Sequence, residues 1–250
     1  MQKSQTLRNR LAAHATTLGI NSLNKLNLPK SMLIIPDGNR RWARAHHLEP
    51  EKGHWAGGDT VVKLLDIFID LNIKTIGIWG LSEDNWKREK QEIDNIMAVV
   101  GDVTQKSLET MQKHGIKFVV IGQKERIKSE YSKLYAILEN AQAQTAANTN
   151  KTFAVFLDYG ERFQLEEFAK AREKNPQATS YELISTINKG LPLFDMVLRT
   201  SGEQRLSGFG PLASIAEFVV VKKNLPEVDA KDIVGALKEY SGRKRRLGGN

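Results

Sequence analysis

The sequence contains no cysteine, which excludes thiol nucleophiles, thiolate zinc sites, iron–sulfur clusters and any disulfide framework. It also lacks an apolar run near the ~20 residues that span a bilayer, and its first 28 residues carry no apolar stretch ahead of a small-residue cleavage site, so a cytoplasmic protein is expected. The signatures G-x-x-x-x-G-K-[ST], H-E-x-x-H and G-x-S-x-G are absent, and with them the ordinary markers of P-loop nucleotidases, zinc proteases and esterases. The run from Gly208 to Ala213 spells the dinucleotide pattern G-x-G-x-x-A, but a polar loop precedes it where that fingerprint needs a strand. Aromatics make up only 7% of the chain, and no stripe of basic residues is interleaved with them, which argues against nucleic-acid binding. No internal repeat or low-complexity linker divides the sequence.

What is present fits one large soluble domain. The chain has 250 residues, 40% hydrophobic and 26% charged, enough to bury a core without cross-links. Lysine and arginine outnumber aspartate and glutamate by 37 to 29, giving a net charge of +8. An anionic partner is implied: nucleic acid, an acidic membrane face or a phosphorylated small molecule, and charge alone does not choose among them.

Six short apolar segments read as strands: 32–36, 75–81, 116–121, 152–157, 196–198 and 218–221. Helical spacing separates most of them, with Val62, Leu65 and Ile69 on one face and Ile93, Ile96, Met97, Val100 and Val103 on another. Strands buried on both faces and alternating with helices predict an α/β fold with a mainly parallel sheet wrapped by helices. Residues 1–30 read as a helical lead-in around Leu7, Leu11 and Leu18, followed by a single domain over 31–250.

Chemistry concentrates at three strand exits, where open α/β sheets bind ligands. The first runs Asp37, Gly38, Asn39, Arg40, Arg41, Trp42. Gly38 permits a close turn, a helix starting at Asn39 or Arg40 exposes N–H groups to an anion, and Asp37 could bridge Mg²⁺ to diphosphate oxygens. The same residues also read as a helix cap followed by surface charges. The second exit holds Ser82, Asn85, Trp86 and Arg88, with Ser82 or Asp84 alternatively capping a helix near Glu89. The third holds Arg199, Ser201, Gly202, Arg205, Ser207 and Gly208, donors and flexible backbone suited to phosphate oxygens or to an ordinary surface loop. His54, at the start of the Val62 helix, is the one histidine near a candidate anion site.

Taken in order, the stretch Asp37 to Ala43, Gly53 with His54, Ser82, Asn85 with Trp86 and Arg88, Tyr159 with Gly160 and Arg162, Arg199 to Glu203, Arg205 to Ser207, Glu217 and Arg245 to Gly249 resemble the cis-prenyltransferases, the undecaprenyl diphosphate synthase family. That resemblance implies a six-stranded, mostly parallel sheet surrounded by helices, enclosing an apolar tunnel, in a homodimer. It implies a Mg²⁺-dependent transferase of prenyl groups that condenses isopentenyl diphosphate with an allylic prenyl diphosphate, farnesyl or geranylgeranyl diphosphate, to give a cis-polyprenyl diphosphate lipid-carrier precursor. Its alternatives are a short-chain synthase of the same family and a catalytically silent partner subunit of a heteromeric enzyme.

By the same resemblance Asp37, Asn85 and Ser82 are catalytic, and Asp37 and Glu217 are metal ligands. Gly38, Asn39, Arg40, Arg41, Trp42, His54, Trp86, Arg88, Arg199, Arg205 and Ser207 bind substrate, and the C-terminal Arg245 to Gly249 stretch completes the second phosphate site across the dimer. A peripheral membrane contact through the Leu7–Leu18 helix or the basic tail is expected. Gln204 and Pro50 replace the histidine and arginine common in the family, and the 209–217 segment is one residue short, which makes the isopentenyl-side pocket the expected weak element.

Overall fold

The computed structural model describes residues 23 and 25–246. The expected helix around Leu7, Leu11 and Leu18, and Leu247 to Gly249 of the tail, lie outside the described residues. The first strand, β1 (Ser31–Ile35), is buried at all five positions, so it requires packed layers on both sides. The chain continues through α1 (Asn39–Ala45), α2 (Pro50–Ile69), β2 (Thr75–Ser82), α3 (Lys90–Lys113), β3 (Ile116–Ile121), α4 (Lys124–Glu130), α5 (Ser132–Thr145) and β4 (Lys151–Tyr159). It ends with α6 (Glu161–Lys174), α7 (Ser180–Ile187), β5 (Met196–Arg199), β6 (Glu217–Val220) and α8 (Ala230–Gly242).

The six strands form one sheet in the order β3-β4-β2-β1-β5-β6, and every pairing is parallel. The expected mainly parallel sheet is parallel throughout, because a helical or long connection returns each strand to the same end. All strand exits therefore share one edge. One sheet face meets α2, α3, α5 and α8 through Val61, Leu65, Phe68, Ile93, Ile96, Leu138, Ile233 and Leu237. The other face is aromatic, with Trp79, Phe156, Tyr159, Phe194 and Phe209 packed edge to face, Phe156 lying 4.9 Å from Phe209 between ring centres.

The buried stripe of α2 is rotated from the expected one. Val61, Leu64, Leu65 and Phe68 face the sheet, while Val62 and Ile69 sit at its half-buried margin. The α2 helix starts on Pro50, whose fixed φ suits a first helical position. In α3 Ile93, Ile96, Met97 and Val103 of the expected face are buried, while Val100 is half-buried. Among the described residues no helix is long and apolar enough to cross a membrane.

Two local features shape the exit edge. The pairing of β2 with β4 slips so that Leu81 faces Leu157 and Ser82 faces Tyr159. Asp158 is left as a bulged residue with φ of 48°. At the start of α2, Gly53 lies so close to α1 that a Cβ there would fall 2.0 Å from the Asn39 carbonyl oxygen. Gly53→Ala should therefore push α2 from α1 and cost about 1–3 kcal/mol, read as a lower urea midpoint with an unchanged slope.

Candidate active site

Asp37 leaves β1 two residues beyond the Ile35–Arg199 pairing of β1 with β5, so two oppositely charged side chains meet at one strand exit. Its backbone is fixed by Thr200, whose hydroxyl accepts from the Asp37 N–H and donates to the Asp37 carbonyl, each at 2.7 Å. The carboxylate accepts from the Gly38 N–H at 2.7 Å and from Arg41 at 2.9 Å on Oδ1, and from Arg199 at 3.0 Å on Oδ2. Burial alone would raise its pKa, but the hydrogen bonds from Arg199, Arg41 and Gly38 outweigh that and hold the carboxyl below its ordinary range. The chain turns at Gly38 with φ of 94°. A Cβ there would meet Asn224 Oδ1 at 2.3 Å, so the position excludes a side chain on two grounds.

Cations surround this carboxylate. Arg199 is 5% exposed and donates to Ser207 Oγ at 2.9 Å and to the Arg205 carbonyl. Arg41 bridges Asp37 to Glu203 at 3.0 Å. The loop carrying these groups is folded by two Ser-Gly pairs, Ser201 with Gly202 and Ser207 with Gly208, all four in left-handed backbone. The aromatic cluster anchors it through the fully buried Phe209.

The second exit carries a 3₁₀ turn, Glu83–Lys87. Ser82 Oγ accepts from the Asn85 N–H and Asn85 Oδ1 accepts from the Ser82 N–H, each at 3.2 Å. This reciprocal cap closes the turn, and the helix that follows begins at Lys90 after Glu89 without a side-chain cap. The alternative in which Ser82 or Asp84 caps that helix is thus replaced by a separate turn. Beyond it Glu92 gathers two guanidinium groups and an imidazole, with Arg88 at 2.9 Å, His54 at 3.3 Å and Arg40 at 3.4 Å. Burial lowers the His54 pKa more than Glu92 raises it, leaving the imidazole neutral at pH 7.

These groups rim a cavity of about 470 Å³. Its mouth holds Asp37, Gly38, Asn39, Arg40, Arg41, His54, Ser82, Asn85, Arg88, Arg199, Arg205 and Ser207, twelve of the sequence-predicted residues. Inward it is walled by Val61 of α2, Ile96, Val99 and Val103 of α3, and Ile78 and Val155 of the sheet. Asn39 Oδ1 is buried at the rim without a partner. The arrangement can fix a polyanion at the entrance and a hydrocarbon behind it.

Three predicted residues lie elsewhere. Trp42 packs on His46, ring centres 4.5 Å apart, and Trp86 packs under Arg126. Glu217 opens β6 opposite Met196, at the strand-entry edge, where Arg243 holds it at 3.0 Å. Asp37 and Glu217 thus stand at opposite ends of the sheet within one chain and do not share an ion there, because parallel register places the first residue of β6 beside the first of β5. Arg245 pairs with Asp195 at 2.7 Å at that same far edge. Gln204 is exposed and outside the cavity lining.

Sequence reading missed Glu92, Thr200, Asn224 and Arg44, the last a further arginine lining the cavity. Only Glu92 carried a signal, its four-residue spacing from Arg88. Among the described residues no three His, Asp or Glu side chains cluster as a self-sufficient metal cage. A single ionised carboxylate at a cationic mouth instead fits Mg²⁺ held jointly with substrate phosphate oxygens and water.

A profile of the family described as putative undecaprenyl diphosphate synthase matches residues 35–248. An isoprenyl transferase of Rickettsia bellii is 34% identical over 226 residues, 88% of this chain and 97% of its own. One of Zymomonas mobilis is 32% identical over 232 residues, 89% and 92% of the two chains. Lavandulyl diphosphate synthase from Lavandula x intermedia, solved in complex with dimethylallyl diphosphate, superposes with a TM-score of 0.80 at 26% identity, covering 88% of this chain and 98% of that one. A probable undecaprenyl diphosphate synthase from Campylobacter jejuni shares the fold with a TM-score of 0.73 at 23% identity, covering 89% and 100%. With the matched profile spanning most of the chain and the curated relatives named as isoprenyl transferases, this protein belongs to the undecaprenyl diphosphate synthase family of prenyl-transferring enzymes.

Proposed function

We propose that this chain condenses isopentenyl diphosphate with an allylic prenyl diphosphate, farnesyl or geranylgeranyl diphosphate, to form a cis-polyprenyl diphosphate. The observation that carries this reading is the union of an arginine-rimmed carboxylate with an apolar cavity at one strand edge. Breaking the allylic carbon–oxygen bond sends its electron pair onto the departing diphosphate, so preorganised cations at that group lower the barrier. Arg40 and Arg41 with Asn39 and Gly38 hold that diphosphate in this reading, and His54, whose Nε2 faces the Glu92 carboxylate at 3.3 Å, lines the same pocket. Arg199, Arg205 and Ser207 hold the diphosphate of isopentenyl diphosphate. Arg88 is a further phosphate contact.

Ser82 and Asn85, locked to each other through one backbone N–H each, keep the hydroxyl hydrogen and the amide Nδ2 hydrogens to orient the reacting groups. Holding both substrates together removes orientational entropy from the step. Asp37 would hold Mg²⁺, which when bound would neutralise diphosphate charge and act as a Lewis acid on its oxygens. The aliphatic walls formed by Val61, Ile96, Val99 and Val103 receive the prenyl chain, the role of the apolar tunnel. A homodimer, a cytoplasmic location and a peripheral membrane contact belong to the same proposal. The net charge of +8 supports attraction to an anionic leaflet.

Purified protein incubated with labelled isopentenyl diphosphate, Mg²⁺ and, separately, dimethylallyl, geranyl, farnesyl and geranylgeranyl diphosphate should give one long product or a ladder, abolished by chelator. No product with any primer from folded protein would instead mark a catalytically silent subunit. Asp37→Ala should lower turnover by at least about a hundredfold with an unchanged circular dichroism spectrum, and unchanged turnover would overturn its role.

Inorganic diphosphate alone should raise the melting temperature. The gain would be about 2.7 kcal/mol at a hundred times its dissociation constant. That rise should shrink in Arg41→Ala and in high salt.

A further inference from the structure

Asp158 is the one aspartate or glutamate that is fully buried among the described residues. It occupies the bulge at the end of β4, with left-handed φ of 48°. Neither carboxylate oxygen completes a hydrogen bond. Its partner is Arg126 of α4, whose Nε lies 3.2 Å from Oδ2. The same guanidinium lies 4.8 Å over the ring of Trp86. The buried indole N–H of Trp86 also favours the ionised carboxylate, although it falls short of full hydrogen-bond geometry. Trp86 follows Asn85 directly in the turn, and its ring also meets Tyr131, ring centres 6.1 Å apart. A buried charge so poorly satisfied works against stability. An asparagine would fill the same space without that cost, so a charge at this position calls for a role beyond packing.

We propose that Asp158 is a positioning residue: through Arg126 and the ring of Trp86 it clamps the Ser82–Arg88 turn in the conformation that presents Ser82 and Asn85 to the cavity. The inference rests on the reading of that turn as part of the reacting centre. The clamp ties β4 and α4 to the turn, and none of Asp158, Arg126 and Trp86 lines the cavity, so it acts without touching substrate. The charged groups facing Asp158 are Arg126 and Glu130 from α4 and Glu83 from the turn. Burial pushes the Asp158 carboxyl up to about 6, Arg126 only partly opposing it. Protonation below that pH removes the charge that grips Arg126, and Asp158→Asn removes it at every pH.

The test compares wild type with Asp158→Asn from about pH 5 to pH 8.5, taking the ratio of their turnover rates so that titrations common to both, those of His54 and of the substrates, cancel. The ratio should be several-fold to about tenfold at pH 8 and fall towards one below pH 6. The loss should appear in kcat with the allylic KM little changed. Arg126→Gln should reproduce it, and the double variant should add nothing.

Asp158→Asn should also be at least as stable as wild type at pH 8. With its native pKa raised above the ordinary 3.8, the wild type loses stability as pH climbs from about 4 through 6, where the unfolded chain gives up its proton first, and the variant does not. Hydrogen–deuterium exchange of peptides covering 82–88, corrected for intrinsic rates, reads the clamp without turnover and should rise in Asp158→Asn. A ratio flat across pH, or exchange in that segment unchanged, overturns the proposal. Raised exchange in protein that turns over no substrate leaves the clamp standing and sinks the prenyl-transfer reading instead.

Discussion

The site depends on the pair formed by the Asp37 carboxylate and the Arg199 guanidinium. It joins the exits of two neighbouring strands, fixes the first residue of the Asp37–Arg41 turn, and sets the direction of the 199–210 loop. An arginine only 5% exposed needs such a counter-charge. Once that charge is supplied, Arg199 can also hold Ser207 and the Arg205 carbonyl. Arg41 reaches the same carboxylate from the other side and carries Glu203 with it. Removing the one carboxylate would leave several positive groups to repel one another at the cavity mouth.

Strand order explains why this pair sits where it does. Beginning at β1, the chain builds β2 on one side and, much later, β5 on the other, so the β1 exit lies at the point where the direction of winding reverses. Crevices form there because the connections leave in opposite directions. Here the crevice is deepened on the α2 and α3 side, where Gly58 faces Val99 with no room for a Cβ, 2.6 Å from Val99 Cγ1. The opposite sheet face is filled by interlocked aromatic rings. One side therefore accommodates a ligand while the other resists deformation.

Much of this was legible in the residues. The strands announce themselves because segments such as 32–35 and 118–121 are buried on both faces and carry apolar side chains without alternation. The Asp37 to Arg41 run was legible because strand exit, glycine and paired arginines coincide. Glu217 was not: its place is decided by which residue of β6 aligns with Met196, a property of tertiary register rather than of local spacing. Trp42 and Trp86 adjoin cavity residues in sequence yet point elsewhere, since successive residues of a helix or 3₁₀ turn face different directions. Thr200 and Asn224 were invisible, being a hydroxyl and an amide whose partners lie far away along the chain. The bulge at Asp158 was equally hidden, because it arises from the mismatch between two strands and belongs to neither alone.

The pairing of β1 with β5 also bears on how the protein comes into being. The two halves of the Asp37–Arg199 pair are separated by 162 positions. At ~5–20 residues per second of synthesis, about 10–30 s elapse between the emergence of one and the other. Through that interval β1, central in the finished sheet, can be flanked by β2 but has no neighbour on its other side, and the arginines at its exit have no loop to meet. A nascent chain therefore presents an open, apolar strand edge without a formed anion site. The interval between translation of the first strand and the fifth is the one in which this protein is most exposed to misassembly and most dependent on whatever shields unpaired edges in the cell.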